Sequence, residues 1–441
     1  MWQNKNKGMK RFIIYLILCL LPGWLYAQQL SLKDAVSIAL NKNLGIQIAE
    51  NNVKIAKTNN NYGIAGGMPV VSASGSDVEQ LTSLEQKYAN PANNKSSTNA
   101  RSNQLSASFG ASVPIYNGSK VANAAKRLDV AESMSNDYLK SRIAFITYNV
   151  MIKYYDIIRQ ESYAATLERS IEVSRQKLDI VKAQQRVGVA NNADLFQAQV
   201  DLNTQMQNLQ AQQLIIDQAK TDLLTVLTLK QDSLIMVKDT IIVATDLQLA
   251  PILQSMEQHP DLIAAGKQVQ VDQYLEKETA AYRYPSLTGN GGYNFNYTRN
   301  SDGFSLLNQN YGPYVGVGLN IPIFNGSVYK RRQEIAGINT ANDKLIRDTL
   351  GMNYTGNIVK SWQAYNNNLQ QLQMAKDNYD LSGKLLDLVL QRFQLKQATI
   401  LDVKTAQQSF ENAGYLLINV SFAAKSAEIR LKYYGNQLNQ P

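Results

Sequence analysis

Two carboxylates, Asp194 and Asp402, occupy equivalent places in two copies of one pattern, 208 positions apart. Each lies three residues after a polar side chain, Asn191 or Thr399, that opens a helical stretch. At that spacing the first side chain can accept the backbone N–H of the acid, and the acid can accept the backbone N–H of the first residue. A carboxylate there also faces the positive end of the helix dipole. Other candidates for chemistry are few. His259 is the only histidine and precedes Pro260 at a predicted helix start. One imidazole makes neither a metal site nor a triad, so capping or surface exposure is expected for it. The only cysteine is Cys19. No nucleophile elbow, phosphate loop or metal-ligand spacing occurs. Neither an enzyme nor a cofactor is expected.

The elements that must position these residues are organised around a segment used twice. Val113-Pro-Ile-Tyr-Asn-Gly-Ser119 returns as Ile321-Pro-Ile-Phe-Asn-Gly-Ser327. Each copy closes a run of alternating apolar and polar residues, the pattern of a strand with two different faces. Pro114 and Pro322 lack an N–H and are expected to end the ladder. Asn117-Gly118 and Asn325-Gly326 then turn the chain, and Ser119 or Ser327 can cap the helix that follows. Four strands are predicted near 69–79, 104–115, 286–299 and 313–323, with polar loops at 80–103 and 300–311. Their apolar odd positions, Phe109, Val113, Val317 and Ile321 among them, are expected to meet lipid, as in an outer-membrane barrel. A soluble sandwich is the other reading. Tyr293, Phe295, Tyr297, Tyr311 and Tyr314 are expected in an aromatic girdle.

Residues 1–27 read as a secretory signal, with Lys5, Lys7, Lys10 and Arg11 before an apolar run and Ala27 at the cleavage point. Cys19 leaves with it, so no disulfide is expected. The formal charge of +9 drops to +5 without those four basic residues, too little and too scattered for a nucleic-acid partner.

The halves match beyond the opening motif. Asn43 and His259 precede equivalent helices, within helical regions near 31–63 and 252–282. The prolines Pro69 and Pro285 close both regions at the same offset. The chain therefore divides into residues 28–229, a connecting segment 230–251, and residues 252–441. No glycine occurs from 119 to 187. A helix over 119–186 would be ~100 Å long and must find company as a coiled coil or a helical tube. Apolar steps of three and four such as Leu195, Ala198, Leu202 and Val403, Ala406, Phe410 are coiled-coil seams.

At this point the chain resembles the TolC family of outer-membrane efflux proteins over essentially all of its mature length. The family pattern at its helical turns is arginine, an aromatic, two residues, glycine, then aspartate six further on. The first turn here keeps Gly188 and Asp194 but has Gln184 for the arginine. The second keeps Arg392, Phe393 and Asp402 but has Lys396 for the glycine.

The resemblance implies a mainly α fold with a membrane β-barrel portion. Four strands per chain would contribute to a twelve-stranded barrel in a homotrimer, continued by a helical tube. It implies an exit duct in the outer membrane with a large periplasmic portion, for efflux or for type I secretion. Its partners would be outer-membrane lipid, a periplasmic adaptor and an inner-membrane pump. Val187, Gly188, Val189, Arg392 and Phe393 would lie at adaptor docking. Asp194 and Asp402 would line the tip constriction, where an acidic ring favours cations; the capping reading stands beside that one. The positions that tie the tip shut in the best-known member carry Phe393 and Ala398 here, with no hydroxyl and no charge. A periplasmic coiled-coil scaffold is the alternative function.

Overall fold

The computed structural model describes residues 28–303 and 305–438; the expected leader with Cys19 lies outside them. The first half runs β1 (Gln28–Leu30), α1 (Leu32–Lys42), α2 (Leu44–Asn59), β2 (Val70–Gln86), β3 (Lys95–Tyr116), α3 (Lys120–Arg186) and α4 (Asn192–Leu227). After β4 (Ile235–Val237), the second runs α5 (Leu249–Met256), α6 (Pro260–Ala280), β5 (Ser286–Asn300), β6 (Leu307–Asn320), α7 (Val328–Gln394) and α8 (Ile400–Tyr434). The repeat is therefore a repeat of elements. Two helices, two strands and two long helices occur twice.

Each expected helical region is two helices. At Asn43 the backbone leaves the helical conformation (φ −64°, ψ 122°). Its Oδ1 accepts the Gly45 N–H at 2.9 Å and its Nδ2 donates to the Val226 carbonyl at 2.8 Å. The second break, at His259, precedes Pro260, whose ring cannot continue the ladder of a preceding helix.

The chain folds as two compact units. One comprises residues 49–139 and 260–351 and holds a four-stranded antiparallel sheet in the order β2-β3-β5-β6. β2 and β3 run longer than expected. They pair from Val70↔Ser112 to Thr82↔Ala100 and, past a bulge, on to Gln86↔Lys95. The expected loop 80–103 shrinks to the short connection after Gln86. Polar residues hold this extension because they satisfy one another across the strands. Arg101 donates to Glu79 at 2.6 Å and Asn103 to Asp77 at 2.7 Å.

Pro114 does not end β3. The strand continues to Tyr116 with a register shift between Pro114 and Tyr116, a bulge that absorbs the missing donor. In the second copy the ladder stops at Asn320, before Pro322, so Ile321 lies just beyond the last rung. Both copies then reverse through two consecutive left-handed residues, Gly118 (φ +63°) and Ser119 (φ +68°), and Gly326 (φ +66°) and Ser327 (φ +64°). In the first copy the cap comes from Asn117, not Ser119: its Oδ1 accepts the Val121 N–H at 3.3 Å. A side chain at position 118 would also come within 2.9 Å of the Ala281 carbonyl, so glycine is required there twice over.

The other unit comprises residues up to 48, 140–259 and 352 onward. Its β1 and β4 pair in parallel, Gln29 opposite Met236. One of its apolar clusters is fed by α3, α4, α7 and α8, with Val181, Leu202, Leu386 and Phe410 among its members. α3 and α7 each have 67 residues, ~100 Å at ~1.5 Å per residue. His259 is wholly buried in this unit, edge-on to Tyr354 and Tyr433 at 4.9 and 5.2 Å. The expectation of a surface place for it is corrected. Tyr354 of α7 and Tyr433 of α8 supply its surroundings, and nothing in the local sequence around His259 signals them.

Candidate functional site: two helical turns and a two-faced sheet

α3 ends at Arg186, and the chain turns back through Gly188 at φ +76°. Asn191 then opens α4. The Asp194 N–H donates to Asn191 Oδ1 at 2.8 Å, and the Asn191 N–H donates to Asp194 Oδ2 at 3.3 Å. The second turn repeats this with different side chains. Lys396 takes the left-handed place at φ +62°. The Asp402 N–H donates to Thr399 Oγ1 at 3.2 Å, and the Thr399 N–H donates to Asp402 Oδ2 at 2.8 Å. Each acid therefore completes a capping box with the residue that caps its helix, Asn191 or Thr399. The Thr399 backbone bond, then its hydroxyl and the Arg392 charge, hold the Asp402 carboxyl below the usual carboxylate range. Asp402 remains exposed and Asp194 half-exposed.

Val187 and Val189 flank Gly188 as exposed apolar side chains. Arg392 is exposed and donates to the Gln397 carbonyl at 3.1 Å. Phe393 is different. It is only 5 % exposed and belongs to the core cluster with Leu386 and Phe410. The expected place at a docking surface does not suit it, because its helical spacing puts it on the inward face of α7.

One feature of these hairpins went unforeseen. Lys177 of α3 has a fully buried side chain, and its Nζ donates to Asp201 Oδ2 of α4 at 2.7 Å. Lys404 of α8 donates to the other oxygen of Asp201 at 3.1 Å. Burial alone would raise the Asp201 pKa, but the Lys177 bond and charge with the Lys404 bond outweigh it, and the net shift is downward. A turn away, Gln407 donates to the Ser170 carbonyl at 3.2 Å and to Ser174 Oγ at 3.0 Å. Ser170, Ser174 and Lys177 recur at helical spacing, the one signal that marked a polar seam in an apolar interface.

The sheet separates its residues by parity. Opposite residues in an antiparallel ladder share a face. Val71, Ala111, Gly291 and Val315 stand in one row, Ala73, Phe109, Tyr293 and Pro313 in the next. This odd face is apolar and open, with Val315 92 % exposed. Phe109, Val317 and Ile321 are exposed and Val113 is half-buried. The even face carries rows such as Ser76, Ser106, Asn296 and Asn310. Tyr293, Phe295, Tyr297 and Tyr311 share the odd face, but Tyr314 stands on the even one, opposite Gly292. The expected girdle therefore loses Tyr314; its even number already carried that information.

Among the described residues no helix is long and apolar enough to cross a membrane. Over 337 residues the chain is 25 % identical to the outer membrane protein TolC of Vibrio cholerae, covering 73 % of this chain and 74 % of that one. The fold is similar to the CmeC outer membrane channel of Campylobacter jejuni, with a TM-score of 0.78, 16 % identity, and 93 % and 86 % of the two chains covered. VceC, an outer membrane protein of Vibrio cholerae, gives 0.75 at 16 % identity, covering 92 % and 95 %. The MtrE outer membrane channel of Neisseria gonorrhoeae, in its open state, gives 0.68 at 15 %, covering 93 % and 90 %. The outer membrane efflux protein model matches twice, at residues 35–228 and 252–436, once on each half of the duplication. The chain belongs to the outer membrane efflux protein family.

Proposed function

We propose that three copies of this outer-membrane exit duct close a twelve-stranded barrel, whose helical portion meets a periplasmic adaptor and an inner-membrane pump. The observation that carries the reading is the sheet. It has an apolar face, a polar face, and outer strands β2 and β6 that each pair with one described strand and leave the other edge open. Four strands cannot close on themselves, and open edges call for partners. A third of a barrel is what such a chain would supply. The apolar face speaks against a periplasmic scaffold that never enters a membrane, because exposed valines at this density are costly in water.

Passage is passive in this reading, driven by the pump, with no catalytic step. The exposed Val187-Gly188-Val189 turn is the surface offered to the adaptor, with Arg392 on the companion hairpin. Asp402 serves twice, as helix cap and as part of an acidic ring at the tip. The experiment is Asp402→Asn, which keeps a capping oxygen and removes the charge. In single-channel recordings at low salt, where screening is weakest, cation selectivity and block by multivalent cations should fall while the trimer persists. Unchanged selectivity would leave Asp402 as a cap alone.

A further inference from the structure

Every charged residue on the sheet's paired rungs between Val70 and Thr82 and their partners lies on the odd face. Asp77, Glu79, Arg101 and Arg299 are the four, all toward the hairpin ends of the strands. The even positions facing them through the sheet are serine, asparagine, glutamine, threonine, glycine, alanine, valine and Tyr314. The polar ones satisfy one another across strands. Ser74 and Ser108 hydroxyls lie 2.8 Å apart, Ser102 donates to Asn300 at 2.7 Å, and Asn296 donates to Asn310 at 3.0 Å. Tyr314 lies along this wall. A side-chain carbon added at Gly292 or at Gly110 would meet its ring or its hydroxyl at 3.0 Å, so the ring reaches from β6 across β5 to β3.

We infer that the barrel lumen along these rungs is charge-blind, passing cations, anions and neutral polar solutes alike, so that this stretch of the duct makes no selection by charge. The inference rests on the barrel reading above, in which the even face lines the lumen. Hydroxyls and carboxamides both donate and accept hydrogen bonds, so they replace water around either sign of ion or around a neutral polar solute. A charged ring, by contrast, concentrates one sign and excludes the other. Asp77 and Glu79 are matched by Arg101 and Arg299, so the opposite face carries no net charge to impose one sign on the lumen.

The mature chain offers a clean background for a test, since its only cysteine lies in the expected leader. Ser108→Cys is introduced on the even face and Phe109→Cys on the odd face, each in the full-length trimer reconstituted into vesicles. Modification rates are measured with a cationic and an anionic methanethiosulfonate reagent at low salt, each divided by the rate with a free thiol in solution. For Ser108→Cys the two normalised rates should agree within about threefold, at an ionic strength of ~0.01 M where a wall charge would reach ~30 Å. Ser106→Asp added to that variant should tilt the ratio toward the cationic reagent. A ratio beyond about threefold in the Ser108→Cys protein without the added aspartate overturns the charge-blind lumen while leaving the barrel intact. Faster modification of Phe109→Cys than of Ser108→Cys overturns the barrel reading itself.

Discussion

Lys177 has no exposed side-chain surface, and Asp201 is what makes its charge tolerable. Removing one partner of a buried pair strands the other, at a cost of ~3–5 kcal/mol, whereas replacing both by apolar groups is often nearly neutral. Asp201→Asn should therefore lower stability by about 3 kcal/mol in denaturant titration, and Lys177→Met with Asp201→Leu should recover most of it. The Asp201 carboxyl titrates below its ordinary value of 3.8 in the folded chain. Its contribution is thus present above that value and lost as pH falls through the lower folded one, and Asn should remove this acid sensitivity. Asp272 has the opposite sign. Burial, then the hydrogen bond and charge of Asp343, raise its pKa to about 6. The folded chain holds that proton more tightly than the unfolded one, so stability falls as pH rises from near 3.8 to about 6 and stays reduced above. Asp272→Asn should raise the melting temperature at pH above 7 and leave it nearly unchanged at acidic pH, read by thermal scans at both. A rise of equal size at both pH values would show that the proton is not involved.

The two turns show how one local geometry is built with and without glycine. Gly188 and Lys396 occupy equivalent places at φ +76° and +62°. A side chain in that conformation costs roughly 1–2 kcal/mol, partly offset by the greater chain entropy glycine loses on folding. Lys396→Gly should thus stabilise by about 0.5–1 kcal/mol, and Gly188→Ala should destabilise by a similar amount. Nothing lies within 4 Å of a side-chain carbon at 188, so the loss there would be strain rather than collision. Calorimetry of each single variant separates the two, and a destabilised Lys396→Gly protein would mean that the lysine has a role its backbone does not reveal. The caps beside them were legible, because Asn191 to Asp194 and Thr399 to Asp402 carry the required atoms at the required spacing. The long ladder of β2 and β3 was not, because its outer rungs are held by polar pairs that carry no hydrophobic alternation.

The barrel is a property of several copies, and so are the measurements that test it. Detergent-corrected mass should be three times that of the mature chain. Val317→Arg places a charge on the apolar face and should impair assembly by ~2–4 kcal/mol if it sits near the bilayer midplane. Gly318→Ser, one position on, points to the even face, where a side-chain carbon meets nothing closer than 3.6 Å. It should assemble normally. Equal tolerance at both positions in a heat-modifiability assay would sink the assignment of faces.

The sequence by itself determined the duplication, the two-faced strands, the long helices and the capped turns. Each is encoded within a few residues, as a period of two, a period near three and a half, or a reciprocal pair of side chains. Only the tertiary structure decided which strands adjoin, that β3 runs past Pro114 through a bulge, and that His259 is buried. It also brought Lys177, Asp201 and Lys404 to one point, from three helices. Those outcomes depend on contacts between different elements, and no local period records which element will supply the other half of a pair.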